Sequence, residues 1–249
     1  MVVHRPGEGE SLFGGRIVLK AAFDRLCITE SWFDSARDGA SPHIHLRHVD
    51  SFYVLEGELA VLVDDEEVLL GPGAFASAPP ELVHGFRTTM PTRFLNFHTP
   101  DGGFAENLRD RNRGGPGGFD SIDVEPGSGR PGSDGIVLHA REGERLETDV
   151  RASTIKVGRD ELALIEFELN PGFRGPPPHA HDDEVDAFYV LDGEVAFTAG
   201  DEELLLGPRS FVAAAPGDVH TFGLGPGPSR LLNIHSPSAG FHDWLRENS

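Results

Sequence analysis

The chain has 249 residues, with 21 Lys or Arg against 41 Asp or Glu, a formal net charge of −20. That balance lacks the basic excess that counterion release requires, so neither nucleic acid nor an anionic membrane surface is expected as a partner. A single cysteine, Cys27, leaves no intramolecular disulfide framework and makes histidine the main transition-metal ligand on offer.

Residues 1–10 contain no apolar core of a signal segment, and no run of about 18 apolar residues follows, so a soluble, cytoplasmic protein is expected. Thirty-one glycines and nineteen prolines cut the apolar residues into short runs, which favours many brief strands and an all-β class. After Pro42 and a His-x-His pair, Phe52-Tyr53-Val54-Leu55 reads as a strand closed by Gly57. Leu59–Val63 and Val68-Leu69-Leu70 flank an acidic turn at Asp64-Asp65. Residues 93–100 form a closing strand, and residues 103–111, with Phe104 and Leu108 four apart, a short helix. Residues 114–135, rich in Gly and Pro, read as a linker.

The second half repeats this order: Phe188-Tyr189-Val190-Leu191, Gly193, Val195-Ala196-Phe197, a turn near Gly200-Asp201, and Leu204-Leu205-Leu206. A closing strand at 230–237 and a helix at 240–247, with Phe241 and Leu245 four apart, complete it. Two domains follow, residues 1–113 and 136–249, produced by tandem duplication.

The repeat is strictest at chemistry-bearing positions. His43, His45, Asp50 and His84 recur as His179, His181, Asp186 and His220, offset by 136 residues at all four. Histidines two apart on a strand project from one face, so each pair aims into one cavity. Phe52 and Val54, and Phe188 and Val190, should line that face as an apolar wall. Between the His pair and the acid, Leu46-Arg47-His48 stands opposite Asp182-Asp183-Glu184; solvated loop charge is the preferred reading, with Glu184 or His48 as a substitute ligand the alternative. His98 and His235 recur in the closing strands beside Asn96 and Asn233; two readings are open, groups that orient the ligand imidazoles and strand residues kept for packing, and packing is preferred.

These motifs resemble the cupin superfamily, whose first motif is Gly-x5-His-x-His-x3/4-Glu-x6-Gly and whose second is Gly-x5-Pro-x-Gly-x2-His-x3-Asn. His43, His45, Asp50 and Gly57, then Gly73, Pro79 and His84, match in the first half. His179, His181, Asp186 and Gly193, then Pro216-Gly217 and His220, match in the second, with Arg209 where the second motif's leading glycine would stand. The resemblance implies two tandem jelly-roll barrels (double-stranded β-helices), each followed by a short C-terminal helix. It also implies one divalent transition metal per barrel. Fe, Mn and Ni lead, with Zn and Cu open.

Both halves depart from the motif by carrying aspartate in place of glutamate, one methylene shorter. Three readings stay open: direct coordination by Asp50 and Asp186, a three-histidine site with the aspartate holding a water, or a structural acid. Thr88 and Leu224 occupy the asparagine position, where no ligand is expected.

By resemblance to quercetinase-like bicupins, the expected activity is an O2-dependent dioxygenase-type oxidoreductase acting on a small organic substrate, with aromatic compounds among the candidates. Asp50 and Asp186 would be its catalytic residues, their pKa raised by the apolar wall. The alternatives are a non-catalytic metabolite-binding or regulatory module, and a metal-assisted isomerase or hydrolase. A monomer and a homodimer are both consistent with the duplicated chain.

Overall fold

The computed structural model describes residues 1–129, 134–200 and 202–249. They divide into two compact units, Gly9–Glu142 on one hand and Met1–Glu8 with Gly143–Ser249 on the other. Each is an antiparallel two-sheet jelly roll with a short helix after its closing strand, as the resemblance implied.

In the unit Gly9–Glu142, one sheet runs in the order Ile136–Leu138, Phe75–Ala78, Val49–Glu56, Thr92–Thr99, Leu26–Phe33, Ile17–Phe23, Glu10–Leu12. The second contains Ile122–Asp123, His43–Ile44, His84–Thr88, Leu59–Val63 and Glu66–Leu70. Alternation along the strands sends Phe52, Val54, Ala76 and Phe94 from the first sheet, and Leu59, Val61 and Leu70 from the second, into a shared core. The other unit copies this with Phe188, Val190, Phe167 and Leu231 facing Val195, Phe197 and Leu206. The helices Phe104–Asn112 and Phe241–Glu247 each start from a glycine in left-handed conformation and bury Leu108 and Leu245.

The unit boundaries differ from the expected division at 1–113, 114–135 and 136–249. The leading strands of the two repeats are exchanged. Val2–His4 adds to the edge strand Phe211–Ala214 of the later repeat, while Ile136–Leu138 takes the matching place beside Phe75–Ala78 in the earlier one. The segment read as a linker also contributes Ile122–Asp123, paired with His43–Ile44. Strands of two or three residues are too short to show a period, and the surrounding Gly and Pro outweighed them in the composition. Residues 130–133 of that segment, and Asp201 in the second acidic turn, lie outside the described residues.

Gly57 and Gly193, the last residues of the first motif in each half, have φ of 78° and 69°. A Cβ would meet the carbonyl oxygens of Pro91 and Pro228 at 2.1 and 2.3 Å respectively. The positive φ and this close approach both demand glycine. Gly57→Ala is expected to lower stability by roughly 1–3 kcal/mol, read as a reduced urea midpoint; an unchanged midpoint would show that the turn relaxes freely.

Candidate metal centres

The ladder that joins the strands sets the ligand positions. His43 and His84 are direct cross-strand partners, and His179 and His220 exchange two backbone hydrogen bonds of 3.0 and 2.8 Å. Asp50 and Asp186 enter from the opposite sheet, each paired across the ladder with a histidine, His98 and His235 respectively. Within each quartet the donor atoms lie within 4.8 Å of one another.

Every histidine of the two quartets has its Nδ1 occupied. His43 and His84 donate to the carbonyls of Ser41 and Leu82, two residues back, at 2.7 and 2.9 Å. His179 and His220 do the same to Pro177 and Asp218, both at 3.0 Å. His45 Nδ1 donates to the Asp120 carbonyl at 2.5 Å, and His181 Nδ1 to the Glu184 carboxylate at 2.5 Å. A carbonyl only accepts, so the five imidazoles bonded to carbonyls carry a proton on Nδ1 and aim Nε2 inward, the orientation a metal needs.

The Nε2 atoms turn toward the aspartates. Asp50 Oδ2 lies 3.3 Å from His84 Nε2 and 3.7 Å from His45 Nε2. Asp186 Oδ2 lies 3.0 Å from His220 Nε2 and 3.4 Å from His181 Nε2. Two ligands about 2.1 Å from one ion stand roughly 3–3.5 Å apart, so the donor sets fit a cation. His45, His84 and His181 Nε2 are buried without a hydrogen-bond partner, which a cation would supply. The other aspartate oxygens accept from Asn96 and Asn233 amides, each at 2.5 Å.

Groups assigned to loop solvation and packing also belong to this cluster. His98 Nε2 meets Asn96 Oδ1 at 3.1 Å, and His235 Nε2 meets Asn233 Oδ1 at 2.9 Å, so these histidines orient the asparagines that hold the aspartates. Their rings stack on the helix residues Phe104 and Phe241, at 3.7 and 3.9 Å between centroids. His48 and Glu184 are buried, not solvated. Glu184 binds His181 and, at 3.2 Å, His235 Nδ1. His48 cannot accept in that way while stacked on His45, and Asp120 takes over, its carboxylate also bonding the amides of Leu46 and Arg47 at 3.1 and 2.7 Å. Asn96-x-His98 and Asn233-x-His235, two apart on one strand face in both halves, were the signal for this layer. Asp120 left none, because a backbone acceptor has no residue signature.

The electrostatics oppose one expectation. Burial would raise the Asp50 and Asp186 carboxyls, but the surrounding histidines, His98 or His235 first, outweigh it and hold both well below the usual range. They stand as fixed anions. Burial lowers His43 and His48 to about 4, helped by neighbouring histidines. Hydrogen bonds to Asp186 and Glu184 instead raise His181 to about 10. The later cluster, with two carboxylates, pulls more strongly for positive charge.

A cavity opens onto each cluster. That of the later repeat, about 550 Å³, has His179, His181 and Asp186 among aromatic walls. The cavity of the earlier repeat, about 480 Å³, reaches His43 and Asp50 and includes Arg16, Arg37 and Arg111. The walls are not the expected ones: Phe52, Val54, Phe188 and Val190 lie one layer deeper in the barrel cores, and Phe33, Phe86, Phe167, Phe173 and Phe222 line the openings.

The cupin domain family matches residues 34–98 and again 165–235, more than half the chain. The chain belongs to the cupin family. Among curated relatives of this bicupin is quercetin 2,3-dioxygenase of Bacillus subtilis, 35% identical over 86 residues, covering 32% of the chain and 26% of that protein. Another is the oxidoreductase OpS7 of Beauveria bassiana, 37% identical over 60 residues, covering 24% and 20%. The chain thus matches about a quarter of the length of these relatives or less. A solved oxalate decarboxylase from Bacillus subtilis superposes with a TM-score of 0.65 at 15% identity, over 96% of this chain and 78% of its own, a likeness of fold. No helix among the described residues is long and apolar enough to cross a membrane.

The titrations give a prediction for chelator-treated protein. His43 and His48 stay neutral in the fold down to about 4, whereas the unfolded chain protonates them near pH ~6.5. Between those values the unfolded state binds more protons, so stability falls as pH drops. His181, raised to about 10, has the opposite sign. Its contribution is complete below pH ~6.5 and is lost as pH rises through its folded value. Melting temperature should therefore fall between pH ~6.5 and ~4, and His48→Gln should flatten the fall. A slope unaffected by that substitution would exclude His48 as a contributor.

Proposed function

We propose that this bicupin is a metal-dependent, dioxygenase-type oxidoreductase acting on a small organic substrate. His43, His45, Asp50 and His84 hold one divalent transition metal, and His179, His181, Asp186 and His220 a second. The observation that carries this reading is the pinning of all six imidazoles through Nδ1, which turns the Nε2 atoms inward beside a buried carboxylate, where an ion would displace any proton that His181 and His220 share with Asp186. The partial match to quercetin 2,3-dioxygenase supports it.

Imidazole and carboxylate donors suit Fe, Mn and Ni, with Zn and Cu open, and such an ion would supply Lewis acidity and the means of activating dioxygen beside a bound substrate. The chain's residues do the rest. Asn96 and Asn233 fix the aspartates, and His98 and His235 fix the asparagines. Asp50 and Asp186 are the catalytic carboxylates: each presents an ionised oxygen to the centre, and their low basicity suits them to fixing charge beside the ion in preference to removing a proton at neutral pH. The aromatic walls of the later cavity receive the apolar body of a substrate and exclude water.

Elemental analysis of the purified chain should find one transition-metal ion per cluster. Aerobic assays with flavonols, catechols and diketones should show oxygen uptake that disappears in a His43→Ala/His179→Ala double variant. Full uptake by that variant overturns the proposal, as does a purified chain that takes up no transition metal.

A further inference from the structure

In the later repeat Arg151 opens the strand Arg151–Gly158 and lines the same cavity as His179, His181 and Asp186. Its Nε is buried without a hydrogen-bond partner. Nη2 donates to the Ser249 hydroxyl at 3.1 Å, and the guanidinium carbon stands 5.6 Å from the centre of the Phe167 ring. Among the described residues it has no carboxylate partner, in a chain of 41 acids against 21 bases. Three other arginines of this unit are paired, Arg145 with Glu147 and Glu168, Arg246 with Glu144 and Asp243, and Arg230 with Glu166. Burial pulls its pKa below the usual arginine value, yet a guanidinium keeps its charge. A half-buried cation with a vacant donor is therefore held beside Phe167, Phe173, Phe222, Phe241 and Trp244.

We propose that Arg151 anchors a carboxylate of the substrate, and that the later cavity takes amphipathic acids: an aromatic or branched apolar body bearing one carboxylate. The planar fork of a guanidinium matches a carboxylate bidentately, whereas a neutral ligand would leave the charge uncompensated. The volume of about 550 Å³ suits a molecule of a few rings at most. Counted back past Ile17, the register sets Gly15 against Arg151, so this arginine has no counterpart at its position in the earlier repeat, whose cavity carries Arg16, Arg37 and Arg111 instead. This rests on the proposed function only in treating the cavity as the substrate's.

The test uses the full chain carrying Trp32→Phe, which leaves Trp244, on the cavity wall, as the sole indole. Quenching of its fluorescence is titrated with 2-naphthoate and with the uncharged 2-naphthamide, in metal-loaded and in chelated protein. The carboxylate should bind about tenfold tighter or more, as a charge-assisted hydrogen bond warrants. Arg151→Met should reduce its affinity to that of the amide, and Arg151→Lys should retain part of the preference. Circular dichroism melts check that both variants fold, and the lysine variant carries the comparison if the methionine variant does not. Equal binding of the two probes by the Trp32→Phe chain overturns the proposal. So does a carboxylate preference that survives Arg151→Met and vanishes on chelation, which would put the anion on the metal. An Arg151-dependent preference without oxygen uptake under any metal sustains the anchor and defeats the dioxygenase reading, so the two fail separately.

Discussion

The site depends on hydrogen bonds that point away from it. An imidazole on a strand can turn about two side-chain torsions, and only the bond at its far nitrogen fixes which nitrogen carries the proton and where the other aims. Four of the six histidines obtain that bond from the carbonyl two residues earlier, at Ser41, Leu82, Pro177 and Asp218. The local backbone at the strand entry therefore does the orienting without calling on a distant element. This is economical, and it accounts for the same geometry appearing in both barrels despite different flanking loops.

The middle histidines are held differently, and there the halves diverge. His181 leans on Glu184 from its own loop, while His45 leans on the backbone of Asp120, brought in from beyond the helix. A carboxylate makes its imidazole partner more basic than a carbonyl does. Sheltered negative charge accordingly differs between barrels that share all four donor types, and the cavities differ in the same sense: aromatic walls in one, several arginines in the other. Duplication preserved the donors and left the surroundings to drift.

How far the sequence could be read follows from which features are local. The quartets were legible because ligand chemistry, a period of two and an offset of 136 residues coincided at His43, His45, Asp50 and His84 and their repeats. The all-β class followed from Gly-punctuated strands, and the barrels from the resemblance carried by the motifs that end at Gly57 and Gly193. The burial of His48 and Glu184 was not legible, because whether a turn residue sees water depends on what covers it: Phe119 and Asp120 for one, His235 for the other. The upward shift expected for Asp50 and Asp186 failed for a related reason. The wall residues counted from strand alternation pack into the core, and histidines surround the acids instead.

The crossing of Val2–His4 and Ile136–Leu138 into opposite sheets means that neither repeat, severed between residues 114 and 135, keeps its own border. A lone N-terminal fragment would present the naked backbone of Phe75–Ala78, and a lone C-terminal fragment that of Phe211–Ala214. Both are buried strands, the kind that recruit foreign chains when uncovered. Tandem linkage thereby makes the cover of each barrel's edge depend on a segment from the other repeat's stretch of sequence.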